Sequence, residues 1–274
     1  MGRRKLQTLR ARLWPLGGKP VVLAHRGGGN EELENSLDAF EAMAAKGFSF
    51  IETDAHATRD DVVVLFHDPV LDRTTDGTGK IAHYAWQQLA RVRDHSGHAL
   101  VRLDAALRRF PDVVFNVDAK SWHVVEPLVR TIKAAGAQGH VSLASFSERR
   151  LRALRRMLPG VRSSLGTGAI AALVCASWLP FRLARALACL CVPGPADGVE
   201  VVQVPMTYMR VKVVTKRFVR LSHALGLAVH VWTVNEPSLM RRIIAMGVDG
   251  IITDEPTVAA QVIDREWGRK AKVS

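Results

Sequence analysis

Short apolar runs that each deliver ionisable side chains at their C-terminal end constrain this chain more than any other feature. Val21-Val22-Leu23-Ala24 ends on His25-Arg26-Gly27-Gly28-Gly29. Phe48-Ser49-Phe50-Ile51 ends on Glu52-Thr53-Asp54, and Val62-Val63-Val64-Leu65-Phe66 ends on His67-Asp68. The pattern recurs at Asp118-Ala119-Lys120, Ser145-Phe146, Gln203, Trp232 with Asn235, and Asp254. Between the runs lie segments of helical spacing. The first follows the capping pair Asn35-Ser36, carries Leu37, Phe40, Met43 and Ala44 on one face, and stops at Gly47. Short apolar strands alternating with amphipathic helices predict parallel strands joined by crossover helices. About eight such units fit from Val21 round to Ile252, the number a closed (β/α)8 TIM barrel requires. No Gly-x-Gly-x-x-Gly or Walker pattern supports an open nucleotide-binding sheet. In the barrel architecture a site lies at the C-terminal ends of the strands, where the polar residues gather. The strand interiors read as almost purely apolar.

Residues 20–267 are expected to form the barrel. From 69 to about 101 the helical and strand periodicities lapse, and Asp72-Arg73-Thr74-Thr75-Asp76-Gly77 is rich in turn formers. That length is too great for a simple connection and predicts a small inserted subdomain. Residues 1–19 read as a basic N-terminal arm and 268–274 as a basic tail. The arm is broken by Arg10, Arg12, Pro15 and two glycines, so it holds no apolar stretch of signal-peptide length. The expected setting is cytoplasmic. A weak amphipathic membrane toe-hold through Leu6, Leu9, Leu13 and Trp14 is the alternative for the arm.

Glu52-x-Asp54 places two carboxylates on one side of an extended strand. Two such charges repel unless a cation lies between them. Oxygen ligands without cysteine favour a hard ion, so one divalent cation, Mg²⁺ or Ca²⁺, is expected, with Asp118 as third ligand. The alternative is turn carboxylates that cap the following helices. His25 and His67 each close an apolar run, and histidine can serve in turn as general base and general acid. Arg26 and Lys120 add positive charge suited to phosphate oxygens. Two histidines, a metal and two cations match hydrolysis of an anionic ester, with a phosphodiester first.

The ordered set His25-Arg26-Gly27, Glu34-Asn35-Ser36, Glu52-x-Asp54, Thr58-Arg59-Asp60, Phe66-His67-Asp68, Leu71-x-Arg73-Thr74-Thr75, Asp118-x-Lys120, Ser145-Phe146, Trp232-Thr233-Val234-Asn235 and Asp249-Gly250-Ile251-Ile252-Thr253-Asp254-x-Pro256 resembles the glycerophosphodiester phosphodiesterase family. The resemblance spans Val21 to Pro256. It implies a (β/α)8 barrel with a small insertion and metal-dependent hydrolysis of glycerophosphodiesters to an alcohol and glycerol phosphate. By the same resemblance, Glu52, Asp54 and Asp118 bind the cation, and His25 and His67 form the acid/base pair. Arg26 and Lys120 contact the phosphate, and Trp232 belongs to the substrate site. The family usually has glutamate where this chain has Asp118. A binding barrel without catalysis is the reading from another class; no expected catalytic residue is missing.

The net charge of +12 and a pI near 10.2 favour anionic partners. The excess reads either as a solvated basic face or as peripheral contact with an anionic membrane. Nucleic acid is disfavoured, because aromatics do not alternate with the basic runs. Residues 168–192 are apolar and helical, but Pro180, Arg182 and Arg185 interrupt them, so a membrane span is not expected. The default is a helix pair buried on the barrel. The alternative is a hairpin over the barrel mouth, suited to lysophospholipid substrates and lysophospholipase D-type activity. Cys175, Cys189 and Cys191 fit no disulfide or zinc pattern and read as buried thiols in a reducing compartment.

Overall fold

The computed structural model describes residues 13–271. In chain order its elements are β1 (Val21–His25), α1 (Leu37–Ala45), β2 (Phe50–Ala57), β3 (Val63–Leu65), α2 (Trp86–Leu89), β4 (Val101–Arg102), α3 (Leu103–Arg109), β5 (Val114–Ala119), α4 (Val125–Ala134), β6 (Val141–Ala144) and α5 (Glu148–Met157). There follow β7 (Arg162–Ser164), α6 (Thr167–Ser177), α7 (Phe181–Cys191), β8 (Val199–Pro205), β9 (Thr207–Tyr208), β10 (Val211–Lys212), α8 (Lys216–Ala224), β11 (Ala228–Trp232), α9 (Pro237–Met246), β12 (Gly250–Thr253) and α10 (Pro256–Ala271).

Strands β1, β2, β5, β6, β7, β8, β11 and β12 pair in parallel, and the β1–β2 ladder closes the ring. The molecule is therefore a (β/α)8 barrel. The third apolar run does not belong to it. β3 pairs antiparallel with the outer half of β2, Ala55 opposite Leu65, and β4 adds to β3 in the same sense. The eighth barrel strand is instead β7, whose Arg-Ser-Ser sequence lacks the apolar character of the others. β2 also runs three residues past Asp54, so Asp54 lies within the strand rather than beyond its end.

The insertion between β2 and β5 has a core of its own: Val64, Phe66, Leu71, Ile81 and Leu89, with Tyr84 and Trp86 packed on it. The main core lies between the strands and the surrounding helices, where Phe40 meets Phe110 and Phe115 edge-on. α1 starts as its sequence predicts, with the Ser36 hydroxyl accepting from the Ala39 amide at 3.0 Å.

Trp14 corrects the reading of the N-terminal arm. Its side chain is fully buried at the N-terminal end of the barrel, against Phe50 and edge-on to His230 at 4.6 Å. The Leu13 amide donates to Glu200, and the Gly17 amide to Asp249 at 2.6 Å. This segment plugs the barrel bottom, where an indole removes more apolar surface from water than an exposed arm could. Leu6 and Leu9 lie outside the described residues.

The segment 168–192 also departs from its default reading. α6 and α7 bury only one face each, through Leu173 and Val174 on α6 and Ala184 and Ala188 on α7. Leu183, Leu187 and Leu190 are exposed, as are all three cysteines, which form no disulfide. A helix lying on the outside of a barrel has one buried stripe, and these thiols fall off it. No helix among the described residues is long and apolar enough to cross a membrane.

Candidate active site

The turn after β1 builds the first wall of the site. Arg26, Gly27 and Gly28 all take positive φ, at 52°, 86° and 87°. A Cβ on Gly27 would stand 2.9 Å from the Ala39 methyl, and one on Gly28 3.0 Å from the Pro256 ring. Only glycine lets the chain turn this tightly between α1 and α10. The turn leaves His25 at the strand end and swings Arg26 across to β2.

Both histidines are anchored in the same way. His25 Nδ1 lies 2.6 Å from Asp254 Oδ1. His67 Nδ1 lies 2.6 Å from Asp68 Oδ1. A carboxylate at Nδ1 takes the ring proton there and leaves Nε2 as the acceptor. On His25 that Nε2 stands 3.8 Å from Glu52 Oε2. Burial works against a charge on His25, but the bond to Asp254 and the charge on Glu52 outweigh it and raise its pKa. Asp254 is held below the usual carboxylate range: burial opposes this, and the His25 and Asn235 hydrogen bonds prevail. Asp68 is lowered likewise, by Arg73 and His67 against burial.

Asp54 and Asp118 are register partners on β2 and β5. The Lys120 ammonium bridges them, 2.6 Å from Asp54 Oδ1 and 2.8 Å from Asp118 Oδ2. Burial disfavours its charge, yet the two carboxylates more than offset this and hold the pKa above the ordinary lysine value. Glu52 is buried beside them. Desolvation first, then the like charge of Asp54, push its carboxyl up to about 7.

Three carboxylate oxygens here have no hydrogen-bond donor: Glu52 Oε2, Asp54 Oδ2 and Asp118 Oδ1. Arg26 Nε lies 3.2 Å from Asp54 Oδ2, an ion-pair contact without hydrogen-bond alignment. An all-oxygen set with unused lone pairs fits a hard divalent cation. Among the described residues no three ligating side chains stand as a ready metal cage, since the Lys120 ammonium occupies the position between two of the carboxylates.

His25, Arg26, Glu52, Asp54, His67, Asp118, Lys120 and Trp232, the eight residues singled out in the sequence, all line one cleft of about 540 Å³. Its upper walls are apolar: Ile170, Val174 and Trp178 from α6, Met209 from the β9–β10 hairpin, and Phe146 edge-on to Trp232 at 6.0 Å. Sequence reasoning missed several contributors. Asp68 and Asp254 are the histidine partners, and each sat in plain view beside a strand end. Glu34 joins Arg26 at 3.0 Å to Arg73 at 2.6 Å, and Arg73 in turn pairs with Asp68. Nothing local announces that link. The barrel interior is not purely apolar either, because Asn116, Gln203 and His230 are buried inside it. Asn116 and Gln203 face the cleft, and inward-pointing residues of a strand are set by its period of two, not by apolarity.

An eight-stranded α/β barrel whose cleft gathers two carboxylate-anchored histidines, three further carboxylates, an arginine and a lysine defines a class, the barrel hydrolases that act on phosphate esters. A sequence model of the Glycerophosphoryl diester phosphodiesterase family matches residues 25–258; the chain belongs to that family and is a phosphoric diester hydrolase. It is 37% identical over 254 residues to a Mycobacterium tuberculosis protein named "Probable glycerophosphodiester phosphodiesterase 2", covering 90% of this chain and 91% of that one. It is 26% identical to a glycerophosphodiester phosphodiesterase of Caldanaerobacter subterraneus, covering 89% and 98% of the two chains. The fold is similar to that of an Oleispira antarctica phosphodiesterase solved in complex with the product sn-glycerol-3-phosphate, at a TM-score of 0.72 and 21% identity, covering 89% and 97%.

Proposed function

We propose that the chain hydrolyses glycerophosphodiesters to an alcohol and glycerol phosphate, with His25 and His67 as the acid/base pair. The observation that carries this reading is the matched anchoring of two histidines, each with Nδ1 tied to a carboxylate at 2.6 Å beside one cleft. One ring takes the proton of the attacking oxygen; the other returns a proton to the departing alkoxide. Arg26 and Lys120 are suited to hold the non-bridging phosphate oxygens, and Trp232 to wall the glycerol side. Glu52, Asp54 and Asp118 would hold one divalent cation, Mg²⁺ or Ca²⁺, through their unpaired oxygens. Such an ion supplies electrostatic stabilisation of the charge that develops on the phosphoryl group. The fold similarity to a structure holding sn-glycerol-3-phosphate supports the same product class.

A second reading is favoured by the apolar cleft walls. Ile170, Val174, Trp178 and Met209 above a charged floor suit a diester bearing an acyl chain, such as a lysophospholipid met at a membrane. The test is a panel of glycerophosphodiesters and lysophospholipids on wild type, His25→Ala and His67→Ala. Release of glycerol phosphate that drops at least a hundredfold in both variants is expected. Full activity in either variant would sink the acid/base assignment. Preference for lysophospholipid over glycerophosphocholine would select the second reading.

A further inference from the structure

The rim of the cleft carries apolar side chains where a barrel mouth filled with water has no use for them. Trp178 and Tyr208 are each 58% exposed and Met209 82% exposed, and all three also line the cleft. They stand on two separate projections, the C-terminal end of α6 and the β9–β10 hairpin. Of the nine large hydrophobics exposed on the described surface, seven lie on these projections or on α7 packed behind α6. That concentration marks an interaction surface rather than scatter.

The hairpin tip gives an independent sign. Met209 and Arg210 hold φ of 45° and 69°, the signature of a two-residue turn with both central residues left-handed. That turn ordinarily takes Asn-Gly, and side-chain-bearing residues there cost on the order of 1 kcal/mol each. A bulky thioether presented to solvent at a backbone cost has no folding rationale.

The charge around the rim is of one sign. Arg182 and Arg185 on α7, Arg210 and Lys212 on the hairpin, and Lys216 and Arg217 at the start of α8 are exposed. No side chain of the six is in an ion pair or hydrogen bond among the described residues. Some arginines on other faces are paired, as Arg102 is with Asp104, Arg109 with Glu41 and Arg130 with Asp61, while others such as Arg59, Arg156 and Arg242 are exposed without an ion pair. The rim differs in that its unpaired charges surround exposed apolar side chains. An apolar rim inside an unpaired basic belt is complementary to a bilayer whose headgroups are anionic.

We infer that the mouth of the cleft docks on an anionic lipid bilayer, with Trp178, Tyr208 and Met209 entering the interface and the basic belt meeting the headgroups. A second copy of this chain fits the surface less well: with a net charge of +12 on each, it would bring the same unpaired cations against themselves. A protein seated on both projections would also close the cleft between them, whereas a bilayer opens it onto its own lipids. The inference rests on the diester reading only for the benefit of such docking; the contact itself does not need catalysis.

The experiment is sedimentation of the full chain with phosphatidylcholine vesicles and with vesicles containing phosphatidylglycerol, alongside hydrolysis of soluble glycerophosphocholine. The protein is expected to partition onto the anionic vesicles and to leave them as salt is raised. Arg210→Gln with Lys212→Gln, neither of which lines the cleft, should weaken partition about twenty-five-fold, at about fivefold per juxtamembrane charge. The soluble rate should hold within a factor of two. Met209→Gln should weaken partition without changing its salt dependence. No partition onto either vesicle would overturn the inference, as would partition unchanged in both variants. So would a dimer in sedimentation velocity that the double variant dissociates, which would assign the surface to a second copy. Loss of the soluble reaction in wild type would strike the proposed function and leave the vesicle result to stand or fall separately.

Discussion

Replacing Asp254 by asparagine asks whether the proton on His25 is placed by its partner. Asn235 fixes the geometry around that carboxylate. Its Oδ1 accepts from the Asp254 amide at 2.9 Å and from the Thr253 hydroxyl at 3.1 Å, which aims its Nδ2 at Asp254 Oδ2 at 2.8 Å. A carboxylate offers an acceptor to both Asn235 and His25; an amide offers one. If the amide oxygen stays with Asn235, its NH₂ faces His25 Nδ1, now 2.6 Å from an oxygen. The ring must then accept at Nδ1 and carry its proton on Nε2, the nitrogen on the Glu52 side, where it can no longer take a proton from the attacking oxygen. The opposite orientation sets two NH₂ groups against each other. The loss in kcat is expected at about 100- to 10,000-fold, between the effect of removing a carboxylate behind a working histidine and that of enforcing the wrong tautomer. KM should change by a few-fold at most. Asp254→Ala leaves both tautomers accessible and should retain more activity than Asp254→Asn. Steady-state hydrolysis of glycerophosphocholine by the three proteins makes the comparison. An asparagine variant at wild-type kcat, or more active than the alanine variant, would refute the reasoning.

Chelation with EDTA should abolish hydrolysis, and Mg²⁺ or Ca²⁺ should restore it; the same ion should raise the melting temperature of wild type and not of Asp118→Ala, whose missing carboxylate removes one of three unpaired oxygens. Cys175 is exposed and lines the cleft, so a bulky maleimide should slow hydrolysis of an acyl-bearing diester more than that of glycerophosphocholine, and Cys175→Ser should remove the sensitivity. His230 is fully buried, without a hydrogen-bond partner, and burial pulls its pKa from 6.5 down to about 4. The unfolded chain therefore takes up this proton first. Stability is complete above about pH 6.5 and is lost as pH falls towards 4, by about 3 kcal/mol in all, at about 1.4 kcal/mol per unit. Urea denaturation at both ends of that window checks it, and His230→Leu should flatten the slope by that amount.

The barrel was legible because its signal is local and repeated. Each run such as Val21–Ala24 ends where polarity begins, so His25 and Asp118 could be placed at the ends of β1 and β5 without knowing any contact, whereas Glu52 and Asp54 fall within β2, which runs on to Ala57. The third run was misread for the same reason: Val63-Val64-Leu65 has the composition of a barrel strand, and composition does not distinguish parallel from antiparallel pairing. β7 is legible as a short strand between Val161 and Leu165, and its Arg162 enters the barrel paired with Glu200 at 3.3 Å. The β9–β10 hairpin left no trace, because Met209-Arg210 is not a turn-forming pair. Trp14 was placed on a basic arm because its neighbours are charged, while the ring it packs on belongs to His230, far along the chain. For Trp14 the deciding interaction is long-range, and a single sequence carries only the near ones; for β3 and the β9–β10 hairpin the pairing is local but has no distinctive sequence signal.

The insertion raises a physical problem that the ion pairs help to solve. His67 stands on a connection from β3, outside the barrel, yet the proposed acid/base pair requires a fixed position relative to His25 on β1. Val63 and Leu65 of β3 pack into the main core and β3 is laddered to β2, but the loop beyond Phe66 that carries His67 rests on a smaller core of its own. The ionic chain spans the gap. Asp68 holds His67 and pairs with Arg73; Arg73 pairs with Glu34; Glu34 pairs with Arg26; Arg26 and Lys120 both reach Asp54. The run is buried at its inner end, where Asp54 lies between Arg26 and Lys120 and removing one partner of a buried pair costs about 3–5 kcal/mol; the outer links through the half-exposed Arg73 contribute about 0–1 kcal/mol each. The chain thus holds most firmly at its buried inner end. The glycine turn after β1 belongs to the same device, because it is what turns Arg26 away from its own strand and into the link.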